Sequence, residues 1–119
     1  MNLKQSLSSN KLTIGSWITL GHSAIAEIMA RAGFDWLVID MEHSVIDLSQ
    51  AQEMIQATDG AGVPSIVRLA SNDSAQIKRV MDAGAHGIMV PNVNSRGDAQ
   101  QAVNSVYYPP RGERGVGLA

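Results

Sequence analysis

Apolar residues along this chain gather into short runs separated by longer amphipathic stretches. The runs Thr13–Thr19, Trp36–Ile39, Ser65–Leu69 and Gly87–Val90 are rich in Ile, Val or Trp and bounded by Gly, Pro or Asp, as buried strands are. Between them, apolar residues recur at helical spacing. Ser23–Ala32 carries Ile25, Ile28 and Met29 on one stripe, Leu48–Thr58 follows a capping Asp47, Ser74–Asp82 carries Ile77, Val80 and Met81, and Asp98–Val106 is a weaker helix. Counted from Ile14 through Leu37, Ile66 and Ile88, the strands recur after 23, 29 and 22 residues, the length of a βα unit. Gly33 and Gly84 fall just past two of the helices, where a positive φ closes a C-cap.

This alternation predicts an α/β fold with a parallel sheet, strands in chain order 1-2-3-4. Two architectures satisfy it: a doubly wound open sheet and an arc of a (β/α)8 barrel. No G-x-G-x-x-G fingerprint follows any strand, and Gly15-Ser16-Trp17 does not supply one, which favours the barrel. A complete barrel needs about 200 residues. Four units occupy the 119 residues here, and the Pro/Gly/Arg-rich stretch Tyr107 to Ala119 brings no closing helix. The expectation is therefore the first half, about four βα units, of a (β/α)8 TIM barrel. Residues 1–119 would form the N-terminal part of a single, interrupted domain.

Polar groups concentrate where this frame places strand ends. Trp36-Leu37-Val38-Ile39 stops on Asp40-Met41-Glu42-His43, Arg68 ends the third strand, and Pro91-Asn92 follow the fourth. The C-terminal face of the strands is where barrel enzymes keep their chemistry. A guanidinium at the end of an apolar strand needs an anion, because it does not lose its charge. That anion is Asp40 or Glu42 in a structural reading, or a substrate acid in a functional one. Asp40, Glu42 and His43 could also form a metal site of their own, although they are too close in sequence to surround a cation without another element. His22 starts the first predicted helix, as a cap or a substrate contact. His86 precedes strand 4 at the opposite end and is structural. Trp17 lines the pocket or belongs to the core, Arg96 and Asp98 begin the last helix in solvent, and Arg111 and Arg114 anchor the final loop.

Composition narrows the classes. Hydrophobic residues make up 45% of the chain and charged ones 17%, so a packed core is expected and disorder is not. A net charge of -2 without a Lys/Arg cluster argues against nucleic acid as a partner. There is no cysteine, hence no disulfide framework and no thiolate metal site. No signal-peptide-like start and no long apolar run is present, so the expectation is a cytoplasmic protein without a membrane partner.

Several ordered motifs together resemble one family. They are Gly15-Ser16-Trp17, the segment Gly33-Phe34-Asp35-Trp36-Leu37-Val38-Ile39-Asp40-Met41-Glu42-His43, Val67-Arg68, and Asn72-Asp73 with Gln76-Ile77-Lys78. Met81-Asp82-Ala83-Gly84, Val90-Pro91 and Tyr108-Pro109-Pro110-Arg111-Gly112-Glu113-Arg114-Gly115-Val116-Gly117 complete the set. In combination they resemble the HpcH/HpaI aldolases, metal-dependent enzymes that use pyruvate, over essentially the whole chain but only the first half of the family's domain. The resemblance implies a barrel of the phosphoenolpyruvate/pyruvate type and a class II retro-aldol reaction that cleaves 4-hydroxy-2-oxo acids to pyruvate and an aldehyde through an enolate. It implies a divalent cation (Mg2+, Mn2+ or Co2+) whose protein ligands lie beyond residue 119, with Asp40 and Glu42 in its outer shell. It also implies a homo-oligomer such as a hexamer, acting on a small 2-keto acid and an aldehyde. By the same resemblance His43 matches the acid/base histidine, Arg68 the arginine that stabilises the developing oxyanion, and Asp82 the aspartate that raises the basicity of the histidine. The alternative is a noncatalytic half-barrel that lacks the metal ligands.

Overall fold

The computed structural model describes residues 3–118. Four strands, β1 (Gly15–Ile18), β2 (Trp36–Asp40), β3 (Ser65–Arg68) and β4 (Gly87–Met89), form one sheet in the order β1-β2-β3-β4, every pair parallel. Helix α1 (Leu3–Ser8) precedes β1, and α2 (Ser23–Arg31), α3 (Leu48–Gly60), α4 (Ser74–Asp82) and α5 (Arg96–Val106) follow the strands in turn. A doubly wound sheet reverses its strand order at a switch point. Among the described residues the order runs without reversal, as in an arc of a barrel.

Alternation along the strands divides the sheet into two faces. Ile18, Leu37, Ile39 and Val67 point to the helices and pack with Ala26, Ala30, Ala51, Met54, Ile55, Ile77 and Val80 in one buried cluster. The opposite, inner face carries Gly15, Trp17, Trp36, Val38, Asp40, Ile66, Arg68, Gly87 and Met89 in register. The Trp36 indole lies over Gly15, where an added Cβ would meet the ring at 2.1 Å, and its Nε1 donates to Thr13 Oγ1 at 3.2 Å. Only a glycine lets the ring lie this low across β1.

The predicted elements are present, with strands one or two residues shorter at some ends and β2 one residue longer. Gly33 (φ 95°) and Gly84 (φ 101°) take the left-handed conformation expected of them, and Gly62 (φ 75°) does the same after α3. Two expectations change. The α2 stripe is not Ile25, Ile28 and Met29: Ala26 and Ala30 face the core, Ile25 and Met29 flank it, and Ile28 is 65% exposed. Helix α5 begins at Arg96 rather than Asp98, because Ser95 is the cap and Asp98 its capping-box partner. Helix α1 was not foreseen, since six residues carry too little periodicity. With Phe34, Pro64 and His86 it lines a hollow of about 670 Å3, at the end of the sheet where the strands begin.

Candidate active site

β2 delivers Asp40 to the C-terminal edge of the sheet, and β3 delivers Arg68 directly beside it, as register partners on the inner face. Asp40 is 1% exposed. Its Oδ1 accepts from Arg68 Nε at 2.9 Å and its Oδ2 from Arg68 Nη2 at 2.7 Å, a planar two-bond fork. Oδ1 also accepts from the backbone N–H groups of Glu42 (3.0 Å) and His43 (3.2 Å). The chain therefore folds back tightly after β2. The Ser44 hydroxyl closes the turn by donating to the Asp40 carbonyl and accepting from the Ile46 N–H.

This turn sets the other two groups of the cluster. Glu42 Oε2 lies 3.4 Å from Arg68 Nε, and Glu42 Oε1 lies 3.6 Å from His43 Nε2. The His43 side chain is 70% exposed and open to a ligand. The Arg68 guanidinium lies over the Trp17 ring, with Cζ 4.5 Å from the centroid. Its Nη1 makes no hydrogen bond among the described residues, and the Arg68 side chain is 23% exposed. The Asp40 carboxyl is pulled from an ordinary 3.8 down to about 2, chiefly by the Arg68 hydrogen bonds; burial opposes this and the two backbone amides add to it. The same pairing raises Arg68 above its ordinary value. Both groups are ionised at neutral pH.

The pairing expected in the structural reading of Arg68 is present, with Asp40 on the Nε–Nη2 edge. Asp40 orients His43 through the backbone amide and not through the imidazole. Its two oxygens are committed to these four bonds, and among the described residues no three His, Asp or Glu side chains converge as a metal-binding group.

Asp82 stands apart from this cluster. It ends α4, which returns toward the start of the strands, and its Oδ1 accepts from Arg114 Nη2 at 2.5 Å while Arg114 lies over the Tyr108 ring. Within this chain it is not a partner of His43. His22 is a cap, its Nδ1 accepting from the Ala24 N–H at 3.1 Å. His86 lies 3.7 Å from Asp59. Arg114 and Arg111 anchor the final loop on Tyr108 and Tyr107. Sequence reasoning left Trp17 between core and pocket and passed over Ser44. Periodicity gives the face of a side chain within its own strand, but neither the register that brings Trp17 to Arg68 nor a turn closed by a hydroxyl.

The sequence profile of the HpcH/HpaI aldolase/citrate lyase family matches residues 13–118. The chain is 40% identical over 116 residues to a hydroxypyruvate/pyruvate aldolase of Agrobacterium fabrum, covering 98% of this chain and 44% of that protein. It is 37% identical over 116 residues to a 5-keto-4-deoxy-D-glucarate aldolase of Escherichia coli, with 98% and 45% covered. The chain spans about half the length of the curated relatives it matches. The solved structure of an HpcH/HpaI aldolase from Desulfitobacterium hafniense superposes with a TM-score of 0.89 at 36% identity, over 98% of this chain and 46% of that one. An uninterrupted β1-to-β4 arc with an arginine–aspartate fork at its C-terminal edge, matched by the family profile over nearly its whole length, belongs to the HpcH/HpaI aldolase/citrate lyase family.

Proposed function

We propose that this chain supplies the proton-transfer and oxyanion-holding half of a class II pyruvate aldolase site. The reaction is cleavage of a 4-hydroxy-2-oxo acid to pyruvate and an aldehyde. The observation that carries the reading is the Asp40–Arg68 fork, which holds one free guanidinium edge beside an exposed imidazole at the C-terminal edge of a parallel sheet. In this scheme His43 takes the proton of the C4 hydroxyl, the C3–C4 bond breaks, and its electron pair moves onto C3, C2 and the C2 oxygen. Arg68 holds the charge that develops on that oxygen from a preset position, so little reorganisation is needed as the charge forms. Proton return to C3 gives pyruvate. The aldehyde leaves from the C4 side.

The family's divalent cation, Mg2+, Mn2+ or Co2+, receives no donor set from the described residues. Its ligating carboxylates would come from outside them, with Asp40 and Glu42 behind them. Asp82 and His43 lie at opposite ends of the sheet. A role for Asp82 beside His43 therefore requires a second copy of the chain, in line with the expected homo-oligomer. Hydroxypyruvate/pyruvate and 5-keto-4-deoxy-D-glucarate aldolases among the relatives favour a 2-keto acid substrate.

The test is cleavage turnover together with deuterium exchange into the pyruvate methyl group, in the protein as the cell makes it. His43→Ala should suppress cleavage strongly and spare part of the exchange, since another base can reach the methyl proton. Arg68→Ala should depress both by roughly 100-fold, the loss typical of an oxyanion donor. Arg68→Lys should not restore them, because a point charge does not reproduce the fork. Near-normal rates in both Arg68 variants would reduce that residue to an ion-pair partner of Asp40 and favour the noncatalytic reading.

A further inference from the structure

We propose that Trp17 is a positioning residue for Arg68, the third support that turns a salt-bridged arginine into a fixed oxyanion donor. The inference rests on the reading of Arg68 given above. Two hydrogen bonds to Asp40 fix the guanidinium along one edge, yet a planar group held on one edge can still tilt about that edge like a hinged plate. A ring beneath its face stops the tilt. The Trp17 indole supplies that ring, with the Arg68 Cζ 4.5 Å from the centroid, and it does so from β1, two strands away.

The register explains how this long contact is made. Trp17 pairs with Val38, Val38 with Ile66, and Asp40 with Arg68 one step higher on the same face. The indole and the guanidinium therefore meet by leaning over β2. Val38, in the middle, is fully buried although it takes no part in the cluster facing the helices, as expected of a residue roofed by the stack. Trp17 itself remains 43% exposed, so its packing value in the core does not account for a tryptophan here. Its ring also screens one guanidinium face from water, which strengthens the charge felt at the free Nη1 edge.

The experiment compares Trp17→Phe, which keeps a ring, with Trp17→Leu, which keeps apolar bulk without one. The first readout is 15N relaxation of the Arg68 Nε–H bond, whose order parameter falls when the guanidinium plane tilts on its Asp40 edge. The second is cleavage turnover with KM. In Trp17→Leu the Arg68 Nε–H order parameter should fall clearly below that of the native protein. kcat should fall about tenfold, the effect of one partly desolvated cation–π contact, with KM moving less than kcat. Trp17→Phe should recover most of both. An unchanged Arg68 order parameter in Trp17→Leu, or an equal loss in Trp17→Phe, would overturn the positioning role. An order parameter that depends on Trp17, combined with full activity in the Arg68 variants, would instead overturn the oxyanion reading and leave the stack a structural one.

Discussion

Asp40 ties two pieces of the site to the end of β2 with one carboxylate: the end of β3 through Arg68, and the Glu42–His43 turn through two amides. Its depressed pKa carries a sign that can be checked. A carboxyl at about 2 in the fold and 3.8 unfolded stabilises the fold only while ionised. The contribution is complete above about pH 4 and lost as pH falls through 2, and for a group this buried it amounts to about 2 kcal/mol. Urea midpoints measured from pH 6 down to pH 2 should fall in the native chain and change less over that range in Asp40→Asn. That variant starts lower at neutral pH, because Arg68 is left without its counter-charge. An equal pH slope in both would assign the acid sensitivity to other carboxylates.

At the scale of elements, helix starts hold the loops that frame the site. Asp47 caps α3 by accepting from the Gln50 N–H at 2.8 Å, and Gln50 returns the bond by accepting from the Asp47 N–H at 3.0 Å. The same Gln50 side chain donates to the Gly21 carbonyl at 3.0 Å, which joins the α3 cap to the loop after β1. Gly21 permits this approach: a Cβ there would meet the Gln50 amide at 2.8 Å. Asp47→Ala removes one cap bond and should cost about 1 kcal/mol. Gln50→Ala removes a cap bond and a tie between two loops, and should cost as much or more, on the order of 1–2 kcal/mol. Chemical denaturation that ranks Gln50→Ala clearly below Asp47→Ala would deny the Gly21 tie any energetic weight.

At the scale of the molecule, the sheet has a finished side and an open one. The helix-facing cluster is closed, whereas Trp17 and Met89 on the inner face remain 43% and 37% exposed. β1 and β4 each pair along one edge only among the described residues. Open strand edges beside exposed apolar side chains promote association. Residues 1–119 produced alone should therefore self-associate or precipitate as concentration rises, as followed by sedimentation velocity. A stable monomer over a wide concentration range would mean that the inner face is shielded in some other way.

What the sequence by itself determined is what local chemistry controls. The period of apolar runs set the βα units, Gly33 and Gly84 marked two helix ends, and Asp47 marked a helix start. The charged end of β2 together with Arg68 marked the polar edge of the sheet, and the motifs spread along the chain pointed to the family. Tertiary structure alone decided what depends on register and on which end of the sheet a helix reaches. It gave Asp40 both hydrogen bonds of the Arg68 fork, brought Trp17 across β2 to the guanidinium, and turned the core stripe of α2 onto its alanines. It also left Asp82 on Arg114, far from His43. Each of these is a contact between segments remote in sequence, settled by the geometry of strand pairing and helix return that no local pattern encodes.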